Sequence, residues 1–438
     1  MADVVSATAP AKGGQLQLPQ TMVAHDGIEE VINDGTKERL SVEAHFLESK
    51  PMIHRFPSNL QRISRERDYI VPRTVAIGPY YHGMPELQPM EKVKRTVTNY
   101  FFEGLAQSRD ATYEKIKSIS RDARSCYTDE DVLKGITDDE FAEMMFIDGC
   151  FLVQFIETML QRSGGASLTS IINPHTKGVW RDMMLLENQI PWALMEVLMP
   201  LKSLTMEHIL VPVVTVLHGT VSDIPTEPFA KMDYKPGHLL CFIRFYEAAS
   251  KRLTRPSSSN VLPLDTSAVG LSEMGIKLEP SQKMQFSAMD LVKGPFFGKL
   301  FLPPLRLGAI IKCWLVNMAA FEMCTETYLD HDCSVNSYLS VLSLLMNREE
   351  DVRELRVKRI LHGRSSDRQI LEFFNDLVLV PGQAYARLIP GLAEYRQKRR
   401  VWIAIYRFLY KNAKTIVTIL SITGLLVGIF KALYSLKH

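Results

Sequence analysis

In the stretch WRDMMLLENQIPWALMEVLM (Trp180–Met199), three consecutive polar residues, Glu187, Asn188 and Gln189, interrupt a long apolar run. Pro191 fits the first turn of a helix, so the polar group is predicted to occupy the turn before that helix. Side chains of this kind can satisfy backbone groups that are left open at a helix junction. The sequence therefore predicts a structural role at a junction, and the alternative for Glu187 is a catalytic base.

A second acidic residue lies on the apolar face of a predicted helix upstream. Over Asp139–Arg162, apolar residues recur at spacings of three and four, which predicts a wide surface that faces the core. Asp148 falls on that stripe, one turn from Met144 and Leu152. Because desolvating a carboxylate is costly, it must be paired or hydrogen-bonded there. We expect a buried partner for a backbone donor or an arginine; the alternative is an acid in a pocket.

The rest of the chain has the pattern of a mainly α protein, a multi-helix globular body with a few short extended segments and a C-terminal transmembrane helix. The segment Ile53–Gly83 contains three prolines separated by short apolar groups, so it is predicted to be extended chain and turns. Further helical patterns lie in Met90–Gln107, Leu305–Leu329, Val335–Leu345, Asp367–Val380 and Ile389–Tyr410.

Composition divides the chain into three parts. Residues 1–48 are mostly small and polar with little periodicity, which predicts a variable, mostly disordered arm. Residues 49–410 are expected to form the helical domain, with a soft surface loop at residues 254–283 between its two halves. Residues 411–438 are expected to form a basic stalk and a membrane anchor.

The predicted anchor is the stretch IVTILSITGLLVGIFKALYSL (Ile416–Leu436), in which Lys431 is the single charged residue. At about 1.5 Å per residue, this stretch would span roughly 31 Å, close to the thickness of a bilayer's hydrocarbon core. Lys431 is close enough to the chain end to reach the far headgroups. The alternatives are a helix packed into the core of the body and a helix lying in the membrane interface.

The charge distribution before the anchor indicates its orientation. No Asp or Glu occurs from Arg396 to His438, and nine of the 51 Lys and Arg residues lie beyond residue 395, which leaves 42 basic against 49 acidic residues before it. By the positive-inside tendency, the body is expected to be cytosolic. The basic residues predicted to face anionic lipid headgroups are Lys398, Arg399, Arg400, Arg407, Lys411 and Lys414.

Two glycines in the apolar run, Gly424 and Gly428, form a GxxxG pair. Small residues four positions apart let two membrane helices approach closely. A homodimeric membrane scaffold that associates through this pair is therefore an alternative function.

The overall composition is that of a globular chain with a sizeable core, since 46% of its 438 residues are hydrophobic. Its six cysteines show no CxxC spacing, so they are expected to be reduced core residues. The first 20 residues contain no apolar stretch of the length that a secretory signal requires. We therefore expect insertion after translation, into the plasma membrane or the endoplasmic reticulum.

Motifs for catalysis and cofactor binding are missing from the sequence. It contains no GxSxG, no HExxH and no paired CxxC, so we predict no enzyme activity, no catalytic, cofactor-binding or metal-binding residues, and no cofactor. His331 and Cys333 lack the second pair of ligands that a metal site needs. The acidic body and the lack of an aromatic–basic motif argue against a nucleic-acid partner. The rival hypothesis is an enzyme whose site combines Asp148, Glu187 and His82.

Several blocks follow one another along residues 50–436. They are IGPYYHG (Ile77–Gly83) with Leu87, Met90, Glu91 and Lys94, DGCFLVQFI (Asp148–Ile156), MLLENQIPWALMEVL (Met184–Leu198), His238–Leu240 with Arg244, LFLPPLRL (Leu300–Leu307), Asn317 with Glu322, FFNDL (Phe373–Leu377) and the C-terminal apolar run. In this order the blocks resemble the plant-specific family known as domain of unknown function 247. Two blocks depart from the family pattern: YKNAKTI (Tyr410–Ile416) stands where relatives commonly have Asn-Pro-Trp, and VKRILHG (Val357–Gly363) is divergent.

The resemblance implies attachment to a membrane through the C-terminal helix and carries no established enzymatic activity. Some grass members of the family are linked to self-incompatibility as pollen-side determinants, which implies a recognition role. Our leading hypothesis is therefore a recognition or signalling component at a membrane, with protein partners that the sequence does not identify. Its specificity is expected in residues 1–48 and 254–283, because loops can vary without disturbing the packing.

Overall fold

A computed structural model describes residues 53–60, 69–160, 165–219, 235–248, 266–325 and 333–437, and the structural statements below concern those residues. The helices are α1 (Gln88–Phe102), α2 (Arg109–Ser125), α3 (Asp138–Met159), α4 (Ala166–Ile172), α5 (Thr176–Asp182), α6 (Trp192–Leu198), α7 (Met206–His218), α8 (Leu239–Ala248), α9 (Ala268–Glu273), α10 (Ala309–Cys324), α11 (Ser334–Leu345), α12 (Glu349–Val357), α13 (Asp367–Asp376), α14 (Gln383–Lys398), α15 (Arg400–Lys411) and α16 (Ala413–Lys437). The strands are β1 (Ile276–Pro280), β2 (Asp290–Lys293), β3 (Gly298–Leu302), β4 (Leu305–Arg306) and β5 (Leu361–His362). The predicted mainly α class is confirmed; the predicted arm, residues 1–48, lies outside the described residues.

Helix α3 is the central element of the body. It begins at a capping box, in which the Thr137 hydroxyl accepts a hydrogen bond from the Glu140 N–H and the Glu140 carboxylate accepts one from the Thr137 N–H. Every residue from Met144 to Thr158 is buried, so the helix is enclosed on all sides rather than along one stripe. It packs against α1, α2, α6 and α7. Asp148 is consequently placed inside the core.

The segment predicted as extended chain and turns is confirmed in its described parts. Ile53 forms an isolated bridge with Tyr127, and residues 70–83 contain neither helix nor strand. Val75 to Pro79 are nevertheless buried. Buried backbone must be hydrogen-bonded, and here no helix or sheet supplies the partners.

A three-stranded sheet follows α9, with the order β1–β3–β2. Strand β1 is parallel to β3, and β2 pairs with β3 as an antiparallel hairpin. Residues 268–280, which the sequence predicted as a surface loop, therefore form α9 and β1, whereas residues 254–265 lie outside the described part of the chain. Ile276 and Leu278 are buried on either side of the exposed Lys277, and this alternation is too short to stand out from the polar residues around it.

A buried carboxylate joins three helices in the second half of the body. Glu322, on α10, accepts hydrogen bonds from the N–H groups of Val335 and Asn336 at 3.1 and 2.9 Å, where α11 begins. It also pairs with Arg244 of α8 at 3.1 Å. Charge-assisted bonds of this kind are the stronger class of hydrogen bond, and this one joins three helices.

The C-terminal part contains three consecutive helices. The predicted helix Ile389–Tyr410 is divided at Arg399 into the end of α14 and α15. Helix α16 follows α15 after Asn412, and none of its residues between Ala413 and Ala432 is buried. This helix is long and apolar enough to cross a membrane.

Candidate functional site

The three polar residues of the opening stretch are buried in the turn between α5 and α6. Glu187, Asn188 and Gln189 are at most 6% exposed. Four further buried residues bond to the same region of the chain. We call the full set the buried polar cluster; its members are Lys94, Asp148, Asp182, Glu187, Asn188, Gln189 and Asn317.

Glu187 binds both ends of the extended segment. Its Oε1 accepts a hydrogen bond from the Phe56 N–H at 2.8 Å, and its Oε2 accepts one from the Tyr81 hydroxyl at 2.6 Å. The Arg55 guanidinium lies 3.2 Å from the same Oε2. Burial, together with the Glu187 carboxylate, raises the pKa of Tyr81, so this hydroxyl remains a donor. Both oxygens of Glu187 are therefore engaged in holding the chain together.

Asn188 binds the middle of the extended segment as a neighbouring strand would. Its Oδ1 accepts from the Ile77 N–H at 2.7 Å, and its Nδ2 donates to the Val75 carbonyl at 3.0 Å. The same Nδ2 donates to the carbonyl of Asp182, the last residue of α5, at 3.0 Å. The prediction that these side chains satisfy open backbone groups at a helix junction is confirmed for Asn188.

Gln189 closes the turn itself and connects it to α8. Its Nε2 donates to the carbonyls of Met183 and Leu185 at 2.9 and 2.8 Å. Its Oε1 accepts from the Leu240 N–H at 3.0 Å. The Gln189 carbonyl accepts from the buried Tyr127 hydroxyl at 3.0 Å. This single residue thus connects the turn to two other parts of the body, α8 and Tyr127.

Asp182 is a cluster member that the sequence analysis did not identify. Its Oδ2 accepts hydrogen bonds from three successive N–H groups, those of Arg73, Thr74 and Val75, at 3.0, 2.6 and 3.0 Å. Its Oδ1 pairs with Arg181. The only signal in the sequence is an acidic residue before an apolar run, which is also common at exposed helix ends.

Asp148 and Lys94 form a buried ion pair beneath the same segment. The Asp148 Oδ2 accepts from the Gly78 N–H at 2.8 Å, and its Oδ1 bonds to Lys94. The Lys94 Nζ also donates to the Ala76 carbonyl at 2.9 Å and lies 2.6 Å from Glu91. Burial lowers the pKa of Lys94, but Asp148 and Glu91 outweigh it and raise that pKa above its ordinary value. The predicted buried partnership of Asp148 is confirmed, with a lysine in place of the expected arginine.

Asn317 on α10 extends the cluster to the opposite side of the turn. Its Oδ1 accepts from the Leu186 N–H at 2.8 Å, and its Nδ2 donates to the Tyr69 carbonyl at 2.8 Å. The Asn317 side chain thereby contacts both the turn and the extended segment.

The three residues of the rival enzyme hypothesis do not converge on an open pocket. Asp148 and Glu187 are buried and bonded as described above, whereas His82 is exposed. Among the described residues, no group of three or more His, Cys, Asp or Glu side chains could hold a metal ion. Of the two metal-ligand candidates, His331 lies outside the described residues, and Cys333 is buried.

Four of the six cysteines are buried as core residues, whereas Cys126 and Cys324 are half-buried. No disulfide joins the six cysteines. Burial raises the pKa of Cys126 to about 11, and that of Cys313 and of Cys324 to about 12. These three thiols are therefore protonated at neutral pH, which makes them poor nucleophiles.

The predicted anchor residues lie on α16. Lys431 is exposed near the end of the helix, and Ile416 is half-buried near its beginning. A Cβ atom placed on Gly424 or Gly428 would meet no heavy atom within 4 Å, so the glycine face of the helix is open. The side chain of Leu436 lies outside the described residues.

Three of the basic residues predicted to face lipid contact other parts of the protein, and at least two others are exposed. Lys398 pairs with a glutamate of α14, Arg399 donates to two carbonyls of the β2–β3 turn, and Arg407 pairs with a glutamate of α9. The others are Arg400 and Lys414, which are exposed, and Lys411, whose side chain lies outside the described residues.

The cluster is built mainly from the blocks that carry the family resemblance, in a helical body that ends in an exposed apolar helix. The chain belongs to the plant family known as domain of unknown function 247, described as a plant protein of unknown function, whose sequence model matches residues 53–427.

Two curated relatives come from Arabidopsis thaliana. UPF0481 protein At3g47200 is 26% identical over 365 residues, which cover 75% of this chain and 74% of the relative. Putative UPF0481 protein At3g02645 is 29% identical over 133 residues, which cover 28% of this chain and 22% of the relative. No solved structure gave a significant match to the chain.

Replacing Gly78 by alanine should test the close packing between the extended segment and the turn. Gly78 has a φ of +80°, and a Cβ there would lie 2.6 Å from the Gln189 carbonyl oxygen. We expect Gly78→Ala to lower the free energy of unfolding by about 2–5 kcal/mol, from the left-handed backbone and the steric overlap together. The measurement is urea unfolding of the full chain in detergent micelles, followed by tryptophan fluorescence.

Gly83→Ala is the matched control, since Gly83 has a φ of +82° and open space around its Cβ position. Gly83→Ala should lower the free energy of unfolding by about 1–2 kcal/mol, the cost of the left-handed backbone alone. Equal losses for the two variants would contradict the packing described at Gly78.

Lys94→Met should test the buried ion pair. Removing the lysine leaves the Asp148 carboxylate buried without its charged partner. We therefore expect the free energy of unfolding to fall by about 3–5 kcal/mol in the same assay. Adding Asp148→Asn should recover part of this loss, because the amide is neutral and can still accept from the Gly78 N–H.

Lys92→Met provides the control on the same helix, because Lys92 is exposed. Lys92→Met should change the free energy of unfolding by no more than about 0.5 kcal/mol. A Lys94→Met variant as stable as the Lys92→Met variant would show that the buried pair contributes little.

Proposed function

We propose that this protein is a single-pass membrane protein, held by α16, whose helical body binds other proteins on the cytosolic side. The proposal of a membrane anchor rests on the exposure of α16. Large apolar side chains along it, including Leu420, Leu425 and Phe430, are 66%, 66% and 73% exposed. Exposed apolar surface costs roughly 25 cal/mol per Å² in water, a cost that hydrocarbon removes.

The charges around α16 support a cytosolic body. Exposed Arg400 and Lys414 lie on the body side of the apolar run, and no acidic residue follows residue 395. Positive charge beside a short hydrophobic segment favours the cytosolic side. Lys431, near the other end, has an aliphatic chain long enough to bring its ammonium to the far headgroups.

The proposed role in recognition rests on the bonds that the buried polar cluster makes inside the body. The carboxylates and amides of the buried polar cluster are occupied by backbone groups and by basic partners inside the body. The surface and the segments that can vary without disturbing this cluster are then the places for partner specificity, which leaves residues 1–48 and the part of residues 254–283 that precedes α9. A pollen-side role in self-incompatibility, which the grass members of the family suggest, would be one particular form of this function.

The second candidate is a homodimeric membrane scaffold. Gly424 and Gly428 are one helical turn apart, and the space around both is open. Two copies of α16 could approach closely along this face.

Protease protection of both termini tests the anchored, cytosolic arrangement. The chain is synthesised in the presence of sealed microsomes, next to a variant that stops after Lys414. We expect the body of the full chain to be digested from outside the vesicles but to resist alkaline extraction, and we expect the shortened chain to remain in the supernatant. A body protected inside the vesicles would contradict the orientation, and full extraction of the complete chain at high pH would contradict the anchor.

Replacing both glycines tests the scaffold. Gly424→Leu with Gly428→Leu should reduce crosslinking between two copies in membranes, because the larger side chains keep the helix backbones apart. The control replaces Thr418 and Thr423 by leucine, since these residues lie off the glycine face of the same helix. Crosslinking that is unchanged in the glycine variant would remove the scaffold proposal.

A further inference from the structure

Helix α15 exposes an apolar face directly before the predicted anchor. Val401, Ile405 and Phe408 are 75%, 48% and 63% exposed. They are spaced by four and three residues, so they lie on one side of the helix. Ile403, on the other side, is buried against the body. The helix is therefore docked by one face and presents an apolar surface on the other.

The β2–β3 turn presents a second exposed apolar group beside this helix. Phe296, in the turn Gly294–Phe297, is 60% exposed. The turn is closed by a hydrogen bond of 3.1 Å from the Gly294 N–H to the Phe297 carbonyl. It is fixed to α15, because the Trp402 Nε1 donates to the Phe296 carbonyl at 2.8 Å. The two rings lie 5.7 Å apart.

Three basic side chains lie at or beside the turn. Arg399 donates to the Gly294 and Pro295 carbonyls at 2.6 and 2.8 Å. Lys293 and Lys299 flank the turn and are exposed, although each pairs with a glutamate. Because the lysines are paired, the exposed apolar side chains rather than a strong positive field would provide most of the contact energy. Aromatic residues between lysines are the composition found where proteins meet lipid headgroups.

The position of α16 indicates what covers this surface. Phe408 lies five residues before Ala413, where α16 begins, which corresponds to about 8 Å along a helix. If α16 spans a bilayer, the exposed face of α15 lies within reach of the same headgroups. A protein partner would have to share that space with lipid.

We infer that the Phe296 turn and the exposed face of α15, which we call the membrane-contact surface, insert into the headgroup region of the bilayer that α16 spans. This inference rests on the proposed anchor and adds a second, shallow contact to it. Two contacts at different places on the body fix its orientation, whereas α16 alone would leave it free to rotate about the helix. The body would then present one constant side to its partners.

Depth-dependent quenching tests this surface in the full chain. An environment-sensitive fluorescent amino acid replaces Phe296, and in a second sample it replaces Ser118, which is exposed on α2, a helix that packs against α3 and α6. The proteins are reconstituted into pure phosphatidylcholine–phosphatidylserine vesicles that carry nitroxide lipids, either in the headgroup region or deep in the acyl chains. Flotation after an alkaline wash reports insertion of α16 independently of the label.

We expect the label at position 296 to emit at shorter wavelength than the label at 118, and to be quenched at least about twofold more strongly by the headgroup nitroxide, as shallow burial requires. Chains that float, but whose two labels behave alike, would overturn the membrane-contact surface and leave the anchor intact. A response at 296 that appears only in native membranes, and not in pure lipid, would assign the surface to a protein partner. Chains that fail to float would overturn the anchor and this inference together.

Discussion

Buried backbone that is neither helix nor strand must find hydrogen-bond partners among side chains, and this requirement governs the centre of the structure. Val75 to Pro79 lie inside the body without regular structure, and each unsatisfied group there would cost about 1–3 kcal/mol. Asp182, Asn188 and Asp148 supply acceptors for the N–H groups of this segment. Lys94 of α1 donates to the Ala76 carbonyl of the same segment, so α1, α3 and α5 are all bonded to it.

This dependence explains why several of the blocks that carry the family resemblance contain polar residues that are buried. The turn with Glu187, Asn188 and Gln189 contacts the extended segment, the end of α5 and the start of α8 through its own side chains. The blocks thus specify the body, and the proposed function falls on the parts that this body carries. These are the segments predicted to vary, the proposed membrane-contact surface and α16.

Sequence patterns were sufficient where burial and periodicity act over many residues. The mainly α class, the buried helix α3, the described parts of the extended segment at Ile53–Gly83, the apolar C-terminal helix and the need of Asp148 for a partner all followed from them, whereas α2, α7 and α12 were not predicted. Patterns could not identify Lys94 as that partner or reveal Asp182, because a single charged residue on a helix has the same local sequence whether it is exposed or buried. Strand β1 was missed for a related reason, since two buried residues are too few to establish a period.

Native-state hydrogen exchange of the full chain in micelles tests the central claim most directly. The amides of Val75, Ile77 and Gly78 lie outside any helix or strand, but they are bonded to buried side chains. If these bonds hold the body together, the three amides should exchange as slowly as the amides in the middle of α3, because both open only when the body unfolds. Exchange as fast as that of the exposed residues His82 and Gly83 would show that the segment opens independently, and would contradict the account.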